Sequence, residues 1–244
     1  MHEGKPAREA DLTKVATSTE TARAFPVELL VWFSPGFPVG GFAYSQGLET
    51  AVAKGWVSDR DNLANWFSAL LSHGALRNDL ILINLVMSAA DENAITQLAK
   101  LAAALQPSAE RAAEALDQGE NFRKAYAAGW AQVAGAEHET TAFSGPITLP
   151  VAVALAAQAH RIAPLAVLET FAVSQVNNLV SAAIRLGVIG QFGAQQLIAE
   201  MMPELRATAG HAVTATVDDL GTASFGADLA TMLHETQQPR LFRS

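Results

Sequence analysis

The chain has no cysteine among its 244 residues. Disulfides, thiolate zinc sites, iron–sulfur clusters and thiol nucleophiles are therefore excluded. Charge is also scarce, at 16% Asp, Glu, Lys and Arg against a usual value near ~25%, so part of the surface is expected to be covered by partners. The net charge is -8, which argues against a nucleic-acid binder. Long apolar runs are missing: Leu80 to Ala90 is interrupted by Asn84 and Ser88 and stops at Asp91, short of the ~20 residues that span a bilayer. The start, Met1 to Ala24, holds no apolar segment of the secretory kind. No membrane role and a cytoplasmic location are the expectations. Alternating strand patterns and Asn-Gly or Asp-Gly hairpin signals are absent too.

What remains is helical patterning. Half of the residues are hydrophobic and alanine is abundant, which favours a folded, all-α chain. Residues 1–24 lack periodicity and read as a flexible tail, 25–236 as one helical bundle of roughly ten helices, and 237–244 as a C-terminal tail. Ser58 and Asp61 resemble a capping box before Leu63, Phe67, Leu70 and Leu71. Asp79 opens the next apolar run, and Asp91 caps a helix that ends at Pro107. Glu110 to Val133 continues with an expected break near Gly119. Ile147 to Ile162 and Leu165 to Leu186 are apolar nearly all round, as central helices are. A helix from Gln191 should stop at Met202, before Pro203. Thr222 is placed as the cap of a last helix that turns Phe225, Leu229, Met232 and Leu233 inward. Gly135 to Pro146 reads as a long loop.

Catalytic constellations are incomplete. Gly36 and Gly41 have phosphate-loop spacing, but Phe42 stands where the lysine is required. Ala43-Tyr44-Ser45-Gln46-Gly47 approaches a nucleophile elbow without the strand that an elbow needs, so Ser45 reads first as a helix N-cap and only second as a serine hydrolase nucleophile. His138-Glu139 and His234-Glu235 each begin a zinc motif whose second histidine is replaced, by Ala142 and Gln238. Each histidine is thus a lone structural or surface residue, unless a dimer axis doubles one into a ligand pair. Asp218-Asp219 fits a helix start. Asn177 and Asn178, inside an apolar helix, predict an interhelical or intersubunit amide network. Arg185 either satisfies the carbonyls ending its helix or faces a charged partner. Leu241-Phe242, flanked by Arg240 and Arg243, reads as an exposed docking peptide rather than a frayed end.

Three separated motifs carry a resemblance. They are Ser34-Pro35 with Pro38 to Phe42 and Tyr44 to Glu49; Asn178 to Ala183 with Arg185-Leu186; and Asp218 to Gly221 with His234 to Gln237 and Arg240 to Ser244. In this order they resemble the F-type urease accessory proteins (UreF). Gly187-Val188-Ile189 and Gln238-Pro239 depart from the family pattern. The resemblance implies an all-α, usually dimeric, non-enzymatic adaptor in assembly of the urease nickel centre. Its implied partners are the nickel-carrying GTPase UreG, which it would regulate, the scaffold UreD (UreH in some bacteria) and apo-urease. Nickel and GTP would be handled by those partners, with no cofactor, metal or catalytic residue on this chain. The residues implied for the GTPase side are Tyr44, Ser45, Glu49 and Arg185. Those for the scaffold side are Arg240, Leu241, Phe242, Arg243 and Ser244.

Overall fold

A computed structural model describes residues 25–134, 143 and 145–244. The expectations for the N-terminal tail, His2, His138 and most of the 135–146 loop fall outside the described residues. Those described form ten α-helices and two 3₁₀ turns, with no strand among them. The helices are α1 Glu28–Trp32, α2 Leu48–Ala53, α3 Arg60–His73, α4 Ala75–Met87, α5 Glu92–Ala104, α6 Ala109–Gly129, α7 Leu149–Ala159, α8 Pro164–Arg185, α9 Gln191–Ala212 and α10 Phe225–His234. The all-α expectation holds. No helix of the described residues is long and apolar enough to cross a membrane.

The centre of the bundle is α4, packed on α7 and α8, with α9 against α8 and α6 against α7. The side chains decide this. Leu80, Ile81, Leu82 and Ile83 of α4 are buried on successive faces, as are Val151, Val153 and Ala154 of α7. A helix apolar all round must be surrounded by others. Asp91 caps α5 by accepting the N–H of Ala94 at 2.8 Å, as its sequence position predicts.

Several boundaries differ from the sequence expectation, each for a physical reason. The cap of α3 is Asp59, not Ser58: its carboxylate accepts the N–H of Asn62 at 2.9 Å. Asp79 does not open α4, which starts at Ala75; it lies inside, half-buried. Helix α6 runs unbroken through Gly119, because the glycine serves packing: a Cβ there would stand 2.1 Å from the Ile147 carbonyl oxygen. Helix α9 continues through Pro203 to Ala212. The lost main-chain bond costs about 3 kcal/mol, which burial of Leu205, Ala209 and Ala212 beyond it offsets. Ser224 rather than Thr222 holds the cap position of α10, and Phe225, Leu229 and Met232 face solvent while Leu233 is half-buried. The inward face is Ala227, Ala230, Thr231 and His234. Small side chains let α10 approach α2 closely: a Cβ on Gly47 would meet the Thr231 nitrogen at 2.9 Å.

A loop and tail joined on an acidic helix face

The first sequence motif becomes a loop with two left-handed glycines, Gly40 at φ 80° and Gly47 at φ 81°. Only glycine takes such values without strain. Between them Tyr44 and Ser45 turn inward and are buried. Helix α8 ends beside this loop in a Schellman arrangement: Gly187, at φ 76°, donates to Ile184, and Val188 donates to Ala183 at 3.0 Å. The departure at Gly187-Val188-Ile189 thus still ends the helix cleanly.

The C-terminal tail does not project. It folds back over α2 and α6 and fills the space beside the loop. Phe242 and Ser244 are only 3% and 1% exposed, which corrects the reading of Leu241-Phe242 as an exposed pair; Leu241 alone faces solvent. The Gln238–Pro239 peptide is cis. Main-chain bonds tie tail to loop: Ser45 N–H donates to the Ser244 oxygen at 2.7 Å, and Arg243 N–H to the Ala43 oxygen at 2.9 Å.

Glu49 organises the junction. Its carboxylate is 5% exposed and accepts the N–H of Leu241 at 2.6 Å and of Phe242 at 3.0 Å. It also faces His234 Nε2 at 3.1 Å, while His234 Nδ1 faces Glu110 at 2.6 Å. Each ring nitrogen thus meets a carboxylate oxygen. His234 is fully buried, and the single-histidine reading is sharpened to a two-carboxylate clamp.

Helix α6 supplies the counter-charge. Glu110, Glu114 and Asp117 recur at one-turn spacing on one face. Glu110 pairs with Arg240 at 2.5 Å, Asp117 lies 3.6 Å from Arg243, and Glu114 accepts from the Ser244 hydroxyl. Glu114 also receives Gln118 at 3.0 Å and Gln46 at 3.3 Å, and pairs with buried Arg111. Nearby Asp79 is pushed up to about 7, by burial first and then by Glu114, with Arg111 opposing. Burial pushes the Tyr44 phenol up; Arg243 opposes this, and Asp117 and Glu114 add to it.

Arg185 joins both sets of residues. It donates to the Phe42 oxygen at 2.5 Å, and its guanidinium sits 4.0 Å from the centroid of the Phe242 ring. Burial pulls its pKa down, against the attraction of Glu49. It therefore stitches loop to tail rather than capping α8. Residues implied for two different partners form one contiguous cluster.

Ser45 is not presented as a nucleophile. It is fully buried, its hydroxyl donates to the Ser244 oxygen at 2.7 Å and accepts the N–H of Glu49 at 3.2 Å, and the His234 ring is taken by two carboxylates. A hydrolase needs an accessible hydroxyl against a free base. The capping role survives in altered form, with Gly47 at the cap position of α2. Asn177 is exposed and Asn178 half-buried, and among the described residues neither joins the interhelical amide network that was one of the two expectations. Asp219 closes a capping box with Thr216 at a 3₁₀ turn. Sequence reasoning passed over Glu110, Glu114 and Asp117. The signal available was an acidic stripe on α6 matched to a basic tail.

Comparison with known proteins agrees with the motifs. The family model for UreF matches residues 57–202. A protein of Rhodopseudomonas palustris strain HaA2 named "Urease accessory protein UreF" is 43% identical over 219 residues, covering 88% of this chain and 92% of its own. A protein of the same name from Xanthobacter autotrophicus is 43% identical over 225 residues, covering 90% and 92%. Another, from Rhodopseudomonas palustris strain BisB5, is 40% identical over 240 residues, covering 97% and 98%. The chain therefore belongs to the UreF family.

Proposed function

We propose that this protein is a non-catalytic adaptor in urease maturation. It bridges the nickel-carrying GTPase UreG and the scaffold UreD or UreH, as a homodimer in the cytoplasm, and it regulates the GTPase. Nickel is cargo that arrives with its partners, GTP is bound by UreG, and apo-urease receives the metal. The observation that carries this reading is the junction at Arg185, where the loop at Phe42 and the tail at Phe242 meet. An adaptor that senses one partner and recruits another is served by two docking elements that share contacts, because a shared element can pass a bias between sites. Exposed parts of the junction supply the contacts: Phe42, Leu241, and the outward edges of Arg240 and Arg243. Buried Ser45 and Glu49 act by holding shape rather than by touching a partner.

The test uses two variants of the full chain. Deleting residues 240–244 should abolish capture of UreD/UreH and leave helix content intact. Arg185→Asp should weaken recruitment of UreG by at least tenfold, since it places a carboxylate near Glu49 and against the Phe242 ring. Unchanged capture by the deletion would overturn the docking role of the tail. Unchanged recruitment by Arg185→Asp would move the GTPase surface elsewhere.

A further inference from the structure

The turn leading into α2 is closed by a main-chain bond from the Leu48 N–H to the Ser45 oxygen at 3.0 Å. Its central residues, Gln46 and Gly47, both have positive φ, at 54° and 81°. This is the signature of a type I′ turn, whose first central position favours Asn, Asp or Gly. Asn and Asp tolerate the left-handed backbone because their short polar side chains bond locally. Glutamine is longer and lacks that return. With Arg161, Gln46 is one of two non-glycine residues at positive φ among those described. A backbone kept in such a state is held there by its surroundings.

The side chain of Gln46 supplies the hold. Its Nε2 donates to Glu114 Oε1 at 3.3 Å, across 68 positions. Glu114 is buried and divides its oxygens between the two arms of the junction. Oε1 takes Gln46 from the loop and Gln118 from its own helix, while Oε2 takes the Ser244 hydroxyl from the tail and pairs with Arg111. The neighbours of Gln46 are committed to other elements. Ser45 binds the tail through its N–H and its hydroxyl. Gly47 is pressed against Thr231 of α10. Glu49 holds the N–H groups of Leu241 and Phe242. Tyr44, before the turn, reaches α6 more loosely, at 3.4 Å from Asp117.

We infer that Gln46 is a positioning residue: its amide, anchored on Glu114, fixes how the loop at residues 42–45 lies on α6. A glycine at this position would make the same turn without strain and leave it untethered. The bond to a buried carboxylate is charge-assisted, which offsets the cost of the left-handed backbone.

This inference rests on the adaptor reading only for the partner that the loop meets, and its test separates the two. Two variants of the full chain distinguish backbone from side chain. Gln46→Gly removes both the strain and the amide. Gln46→Met keeps the strain and the size and removes only the amide. Hydrogen exchange is read at the Ser45 and Arg243 amides, which cross between loop and tail. In both variants it should speed up by about tenfold, the worth of one hydrogen bond to a charged group. Leu80 in α4 should keep its protection, and the glycine variant should melt no lower than the parent chain. At that unchanged melting temperature, recruitment of purified UreG should weaken by about fivefold. Parental protection in the glycine variant would overturn the proposal, because the backbone alone would then set the loop. Parental protection in the methionine variant would also overturn it, because the bond to Glu114 would then hold nothing. A matching fall in the melting temperature of the glycine variant would reduce Gln46 to a general stabiliser and overturn its positioning role. Lost protection with full recruitment of UreG would support the positioning role and overturn the adaptor reading of the loop.

Discussion

Replacing Glu49 by Gln should detach the tail while sparing the bundle. The carboxylate holds two tail N–H groups, at 2.6 and 3.0 Å, and faces His234 at 3.1 Å. Hydrogen bonds to a charged acceptor contribute about 1.5–3 kcal/mol each, and removing one partner of a buried charged cluster costs about 3–5 kcal/mol. The glutamine keeps the size but removes the charge and turns an NH₂ toward groups that also donate. His234 is then left buried with Glu110 as its remaining carboxylate. A loss of about 3 kcal/mol in local stability corresponds to roughly a hundredfold. Hydrogen exchange reads this directly. Protection of the Leu241 and Phe242 amides should fall by about two orders of magnitude, while that of Leu80 in α4 stays unchanged, because the opening is local. Tail protection within about threefold of the parent chain would refute the argument that Glu49 anchors the tail.

Two further substitutions probe the elements behind the junction. Asp79 is raised to about 7 by burial, so between pH ~4 and ~7 the folded chain keeps a proton that the unfolded chain has released, and stability falls as pH rises, by up to about 1.4 kcal/mol per pH unit. Water reaching this half-buried carboxyl reduces the effect; Asp79→Asn should therefore be more stable than the parent by about 1–3 kcal/mol at pH 8 and nearly equal to it at pH 4, and a pH-independent difference in urea midpoints would contradict this. Gly119→Ala should lower the melting temperature despite the better helix propensity of alanine, because its Cβ would stand 2.1 Å from the Ile147 oxygen and force α6 from α7 at a cost of about 3 kcal/mol; an unchanged or raised melting temperature would show that the helices separate freely.

Legibility in the sequence followed the range of the interactions. Asp91 was readable as a cap because its partner, Ala94, is three residues away. The central helices were readable because burial on all sides leaves an apolar run. Pro203 and Gly119 misled because their local preference for breaking a helix is overridden by tertiary contacts: burial beyond Pro203, and the α7 backbone against Gly119. On α10 the apolar stripe of Phe225, Leu229 and Met232 pointed to the wrong face. The inward face is set by His234, whose carboxylate partners lie 124 and 185 positions away. The same distance hid the site. Tyr44 to Glu49 and Arg240 to Ser244 stood out as motifs, but nothing local places Ser45 on Ser244, 199 positions away.

The central claim is that loop and tail form one junction through which two partners are held together. The most direct measurement is co-purification of the full chain with UreG and UreD/UreH in the presence of nickel and GTP, sized by light scattering, alongside the chain lacking residues 240–244. The account predicts a single complex with equal numbers of all three proteins for the full chain, and neither partner retained by the truncated one. A truncated chain that still holds both partners would contradict it.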